Sequence, residues 1–389
     1  MSVNTMGIEQ AYSFLTTIHN QVTGNTSLAP TSPANFISMA QATLQAGYDP
    51  VLNAITQVVS KTLMAVRPYS RKFAGLEVDR ERWGGIVRKI NFADRGPIPD
   101  ATFALTDGQS IDQFEVRTPT VLETRYVGSD VYSGCYTIFT KQLDVAFSSP
   151  EEFASFISGL MMHFSNEREQ WLEDLARAIV INAVTARSSL NVGMIHLLTE
   201  YNSATGLSLT ATTVKQPANF GPFCKWAYAR VQGISEIFTE RSQEYQRLIT
   251  GYSIYRHTPM ADQRAYFNAD FLAHMTAEVL ADTYHENFLS LADVEPVNFW
   301  QSIQAPLSMS ATPVYIDASG DVDVAGANVA LTQVLGVLFD RDAMGYVIAD
   351  DSLETSPYNA YGQYYNIFSH VRVQLQNDMT EKIAVFCLD

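Results

Sequence analysis

Ser149-Pro150-Glu151-Glu152 is the stretch that leaves this chain the least structural freedom. Ser149 can accept a hydrogen bond from an amide of the coming turn, and Pro150 suits the first helical position, where no amide is needed. Glu152, three residues after the cap, completes a capping-box pattern, and both glutamates lie at the positive end of the helix dipole. Apolar residues then recur at Phe153, Phe156, Ile157, Leu160, Met161, Phe164, Trp171, Leu172, Leu175 and Ile179, a helical stripe interrupted near Glu167 and Arg168. No proline follows before Pro217. The spacing predicts one rod from Pro150 to about Arg187, of about 38 residues and so ~57 Å. A helix that long exceeds the usual globular length and serves as the backbone of a domain.

The flanking regions differ in texture. Met1 to Val66 is rich in Thr, Ser, Asn, Gln and Ala and carries little charge. It predicts one short amphipathic helix over Val51–Met64 and reads as a segment laid across other surfaces rather than one that builds its own core. From Arg67 to Arg95 eight Lys or Arg residues face four Asp or Glu, a basic island in a chain whose net charge is -16. The plain reading of the island is a solvated charged face; the sharper one is an arm that docks on acidic neighbours. Through Phe147, turn signals at Gly96-Pro97, Asp107-Gly108 and Gly128 alternate with runs such as Val131–Thr140, which predicts long hairpin strands. Asn191 to Ala325 reads as a mixed α/β body, with a helix over Ala269–Tyr284 and turns at Pro296, Pro306 and Ser319-Gly320. Strands are expected at Val334–Phe339, Gly345–Ile348, Tyr364–Gln374 and Ile383–Leu388, alternating as half-buried sheet. The fold class is α+β.

Several functions find no support. The acidic balance repels phosphate, so sequence-specific nucleic-acid binding is not expected. Cys135, Cys224 and Cys387 are odd in number and lack metal spacing, which argues against a disulfide framework and a zinc site and fits a reducing compartment. No apolar run approaches the ~20 residues of a membrane span, and the polar N-terminus lacks the pattern of a secretory signal. Seven histidines are scattered without a two-ligand motif, and His163 with Glu167 reads as a surface pair. No phosphate-cradling glycine loop and no serine-hydrolase elbow is present, so no catalytic, cofactor or metal residue is assigned. Asp317–Asp323 and Asp340–Asp351 resemble calcium loops only in part. Met344 occupies a ligand position and Val347-Ile348 read as strand, so both are turns between strands. Tyr358, Tyr361, Tyr364, Tyr365 and Phe368 suit a sheet or subunit interface better than base stacking.

A basic hairpin-like arm, a capped long helix, an α/β body and a return through terminal strands occur here in an order that resembles the tailed-phage major capsid (HK-97-like, or Johnson) fold. The likeness is closest to the capsid proteins of short-tailed phi-29-like phages. It is carried by Tyr69–Phe73 and Gly85–Ile90, by Phe139–Phe147 running into Ser149–Phe156, by Tyr266–Tyr284, and by Leu335–Val347, Glu354–Pro357 and Tyr364-Tyr365 to His370. It covers about Val66 to Asp389; the stretch before Val66 has no counterpart, nor is there one for the immunoglobulin-like domain that some relatives carry.

The resemblance implies an N-terminal arm at 1–66, an extended loop with the strands leading to the helix at 67–147, and a peripheral-domain spine helix at 148–190. An axial domain at 191–328 and the peripheral domain's return strands at 329–389 complete it. It further implies hexamers and pentamers of this chain closing an icosahedral head around double-stranded DNA, with no catalytic residue and no cofactor. A portal, scaffolding and decoration proteins are the implied further partners, and the implied location is the virion, after assembly in the bacterial cytoplasm. The expected inter-subunit contacts are Arg80, Arg82, Arg88, Lys89, Arg95, Tyr361 and Tyr364. Nothing in the residues points to lysine cross-linking through Lys72 or Lys89. Two other readings stand beside this one: an encapsulin-like nanocompartment shell of the same fold, and a soluble α+β enzyme whose site is assembled from distant residues.

Overall fold

A computed structural model describes residues 8–24, 30–63, 71–78, 86–94, 105–110, 112, 114, 116, 118–127, 130–282 and 293–389. Its helices are α1 (Ile8–Thr23), α2 (Pro33–Gln45), α3 (Tyr48–Leu63), α4 (Thr140–Ala146), α5 (Pro150–Leu190), α6 (Leu197–Thr205), α7 (Pro217–Thr239) and α8 (Ala269–Asp282). Its longer strands are β1 (Ile86–Phe92), β2 (Val121–Val127), β3 (Asp130–Phe139), β5 (Gln263–Asn268), β6 (Asp293–Val297), β11 (Val334–Asp340), β12 (Met344–Thr355), β13 (Tyr364–Asn377) and β14 (Ile383–Cys387). Short strands are β4 (Met194–His196), β7 (Met309–Ala311), β8 (Val314–Tyr315), β9 (Val324–Ala325) and β10 (Val329–Leu331). The chain forms two compact units: 1–83, 128–175 and 347–374 make the first, and 84–127, 176–346 and 375–389 the second.

In the first unit the helix signal behaves as expected. The Glu152 amide donates to Ser149 Oγ at 3.1 Å, and α5 runs 41 residues, close to the predicted rod. Phe153 lies against Phe36 at 5.7 Å and Phe147 at 5.1 Å, each ring meeting it edge-on, the preferred geometry for aromatic quadrupoles. Phe36 belongs to α2, so the N-terminal stretch is not a segment laid over other surfaces. Its described residues hold three helices rather than one, and Ala11, Leu15, Ile18, Met39, Ala40, Val51 and Ile55 build a core with Leu143, Ile157, Leu160, Phe164, Tyr365 and Ile367. His19 and Thr43, both buried, join α1 to α2 through a 2.9 Å hydrogen bond. β12, β13 and β3 form a three-stranded sheet in that order, and a methyl group at Gly134 of β3 would stand 2.6 Å from Trp171 of α5. His163 and Glu167 are the expected i,i+4 pair, at 3.6 Å.

The second unit is built on a five-stranded sheet of order β4-β14-β11-β5-β6. β11 pairs antiparallel with β14 and β5, while β14–β4 and β5–β6 are parallel. The expectation of half-buried strands at the C-terminus fails here: every residue of β11 and β14 is buried, as in a sheet centre covered on both faces. The tract 329–389 also divides among three sheets: β10 pairs with β7, β11 and β14 join this one, and β12 and β13 belong to the sheet of the first unit. A core of Phe223, Ala227, Val231, Ile234 and Phe238 from α7, with Phe271 and Met275 from α8, packs with Phe267, Leu338, Ala384 and Phe386 of the sheet. Helix α8 was expected, and Asn268 caps it by accepting from the Phe271 amide at 3.2 Å. Helix α7 was not, because Pro222 sits inside it. The acidic runs are turns between strands: Asp317 Oδ1 accepts from the Ser319 and Asp321 amides, and Asp340 Oδ1 from the Asp342 amide.

Candidate functional site

The five residues Asp378-Met379-Thr380-Glu381-Lys382 connect β13 to β14 and concentrate buried charge in one turn of the second unit, with Asp378, Glu381 and Lys382 all buried. Asp378 folds the turn on itself, accepting from the Thr380 amide at 2.9 Å and from its hydroxyl at 2.7 Å. Lys382 is fully buried and donates through Nζ to the carbonyls of Phe238 and Glu240 and to Ser242 Oγ, which satisfies carbonyls left open at the C-terminus of α7. Arg187, also fully buried, donates from α5 to the carbonyls of Met379 at 2.9 Å and Glu381 at 2.7 Å.

Into this turn reaches Lys89 of β1. Its Nζ stands 2.6 Å from Asp378 Oδ2 and hydrogen-bonds to Glu381 Oε1, which also meets Arg256 at 3.2 Å. Burial alone would pull the Lys89 ammonium down, but the two carboxylates outweigh it, and its pKa rises above the ordinary 10.5. Burial pushes Asp378 up, yet the Lys89 charge and the hydrogen bonds from Lys89 and Thr380 hold it below 3.8. In Glu381 burial wins over Lys89 and Arg256, and its pKa rises above 4.5. Tyr126 of β2 faces the same carboxylates, and burial followed by the Asp378 charge drives its phenol far up.

The hairpin that carries Lys89 alternates cleanly. β1 and β2 pair antiparallel, with Arg88 opposite Arg125, Ile90 opposite Glu123 and Phe92 opposite Val121. Those six residues are exposed, whereas Lys89, Asn91, Leu122, Thr124 and Tyr126 of the other face are buried or half-buried. On the exposed face Glu123 Oε1 accepts from Arg88 Nε at 2.6 Å and Arg125 Nε at 2.7 Å, and hydrogen bonds from Arg125 and Arg88 hold its carboxyl down at about 2. Phe92 is 62 % exposed and Ile90 50 %, so this face offers apolar surface beside a compact ion triad.

The other sequence-derived candidates scatter. Arg80, Arg82 and Arg95 lie outside the described residues. Tyr361 is wholly exposed in the turn between β12 and β13, while Tyr364 is half-buried, with its ring edge-on to Phe139 at 6.0 Å and its hydroxyl accepting from Asn359 at 3.1 Å. Tyr365 belongs to the core of the first unit. Lys72 is exposed, and its amide donates to Glu173 at 3.4 Å.

Among the described residues no group of three or more His, Cys, Asp or Glu is arranged to hold a metal, and no helix is long and apolar enough to cross a membrane. A cleft of about 470 Å³ opens beside α7 and α8 and is lined by Phe220, Phe271, Leu307 and Leu388, with Lys215, Glu278 and the Asp270–His274 pair among its polar residues. The 378–382 turn had no sequence signal of its own, since its partner Lys89 lies 289 residues from Asp378.

A sequence profile of the Phi29-like phage major capsid protein family matches residues 15–387, and so extends well upstream of the resemblance read from the sequence. Curated protein sequences include no match. Among solved structures, the capsid of Staphylococcus phage Andhra is similar with a TM-score of 0.56 at 10 % identity, over 82 % of this chain and 84 % of that one. A chain in the structure of the head fiber and inner core protein gp22 of native bacteriophage P68 is similar with a TM-score of 0.51 at 10 % identity, over 82 % and 85 %. At such identity the likeness is one of fold: the architecture is that of phage capsid proteins, the HK-97-like fold.

Proposed function

We propose, from the premise that this chain belongs to the Phi29-like phage major capsid protein family and is a head-shell subunit, that hexamers and pentamers of it close an icosahedral head around double-stranded DNA. The observation that carries the reading is the match over residues 15–387, which favours neither a nanocompartment shell nor a distributed-site enzyme. The family is one of structural subunits, its place is the virion, and self-association is its work. The finer partners are a portal and scaffolding or decoration proteins, met during assembly in the host cytoplasm. The DNA would be enclosed without being read, since a subunit of net charge -16 repels the phosphates moving past it.

In this reading 67–147 is the extended loop, 148–190 the spine helix and 191–328 the axial domain. The exposed hairpin face with Arg88, Ile90 and Phe92 touches a neighbouring subunit, as do Arg80, Arg82, Arg95, Tyr361 and Tyr364. Individual contacts need not be strong, because a closed symmetric lattice multiplies them. Negative-stain electron microscopy with light scattering on the purified chain, with and without phage scaffolding lysate, tests the proposal. Closed particles or rings are the expected result, and nuclease-protected DNA inside particles recovered from infected cells would identify the cargo. A chain that stays monomeric with the lysate present, or shells filled with protein alone, would count against it.

A further inference from the structure

The hairpin of β1 and β2 is a two-stranded ribbon, and such a ribbon is marginal by itself in water. Its direction is therefore set by whatever holds its inner face. Two ties do so. At Lys89 the tie is buried: the ammonium bridges Asp378 and Glu381, whose side chains are only 3 % and 8 % exposed. At the end of β1 the tie is open: Asp94 donates its amide to the Ser253 carbonyl at 2.6 Å, accepts from the Tyr255 amide at 3.1 Å, and pairs with Arg241, which is 60 % exposed. Both ties lead to the segment around Arg256, which reaches back to Glu381. An apolar inner face could slide by a residue pair with modest loss, whereas a lysine held between two carboxylates fits one register. Removing one partner of such a buried cluster leaves charge uncompensated, so the register is strongly enforced.

We infer that Lys89 is a positioning residue: through the 378–382 turn it fixes the hairpin to its own subunit and so sets the direction in which Arg88, Ile90 and Phe92 meet a neighbour. The inference rests on the head-shell reading, and it removes Lys89 from the residues that touch another copy. Arg88 and Lys89, adjacent in sequence, then have different tasks: one is presented, the other holds.

Hydrogen exchange on the unassembled full chain separates the lock from its consequence. Lys89→Met and the charge-balanced pair Lys89→Met with Asp378→Asn are compared with wild type and with Lys89→Arg, and amides of β11 and β14 report whether the fold is intact. The double variant keeps the test open should the single one fail to fold. The expected result is exchange in β1 and β2 faster by about tenfold or more in both Met variants, near wild-type exchange in Lys89→Arg, unchanged β11 and β14, and absent or misshapen particles. Unchanged hairpin exchange in the double variant would overturn the lock, and loosened hairpins that still close normal shells would overturn the positioning role. Failure of the wild-type chain to form particles would sink the head-shell reading instead, and the wild-type control shows that separately.

Discussion

Arg88 and Lys89 differ by one position and by almost everything else, because successive side chains of a strand point to opposite faces. The basic island was legible in the sequence; which of its charges would be buried was not, since alternation gives the two faces but not which of them meets the body. That was decided by carboxylates nearly 300 residues away. The cluster also has a defined pH response. Asp378 is held below 3.8 in the folded chain, so its contribution is present above that value and lost as pH falls through the lower folded one. Lys89 is raised above 10.5, so its contribution is complete below that and lost only in stronger alkali. Glu381 has the opposite sign to Asp378: raised above 4.5, it favours the fold in acid and loses that contribution as pH climbs through its folded value. Mild acid therefore does not open the turn. Hairpin exchange corrected for intrinsic rates is expected to rise below about pH 4, and Asp378→Asn, not Glu381→Gln, is expected to flatten that acid rise. A hairpin that loosens near pH 5 would contradict the assignment.

At the scale of elements, α5 shows what a sequence declares when cap, dipole and stripe agree. Ser149→Ala removes an amide acceptor at the helix start and is expected to cost about 1 kcal/mol, while Phe153→Ala, which empties a fully buried site between Phe36 and Phe147, costs about 3–5 kcal/mol; thermal melts of the unassembled chain measure both. Gly134→Ala, forced against the Trp171 ring, is expected to cost about 1–3 kcal/mol in the same assay. The elements that went unread had weaker or conflicting signals. Helix α2 begins with Ser32-Pro33, the same cap and first-turn proline as α5, and Ser32 Oγ accepts from the Asn35 amide at 3.3 Å. That signal was present in the sequence, and the uncharged Thr, Ser and Gln around it obscured the short stripe of Phe36, Met39 and Ala40. Helix α7 has a first-turn proline at Pro217 and a second at Pro222, where the ring removes an amide that would bond within the helix. Tertiary burial of Phe223, Ala227, Val231 and Phe238 outweighs that loss.

At the scale of the whole molecule, the order of the elements was readable and the allocation of the last sixty residues to sheets was not. Four β-rich runs in succession suggest one returning layer, yet β11 and β14 fill the centre of a sheet whose neighbours β5 and β4 come from far upstream. Pairing partners so distant in sequence leave no local mark, and full burial on both faces erases the alternation that would identify an ordinary half-buried strand. Net charge acts at this scale as well. Each subunit carries -16, so copies approaching one another repel, while the proposed contact face joins Ile90 and Phe92 to an ion triad already satisfied by Arg88, Glu123 and Arg125 of the same chain. Raising salt from about 0.05 M to about 0.5 M shortens the screening length severalfold. If apolar contact drives association against charge repulsion, the concentration at which particles appear in light scattering falls over that range. If contacts between Arg88 and acidic groups of a neighbour drive it, the threshold rises, because exposed pairs weaken under screening. The exposed triad, already paired within the chain, leads us to expect the fall. Hairpin exchange in the unassembled chain is expected to change little over the same range, because Lys89, Asp378 and Glu381 are largely shielded from the solvent whose ions would screen them.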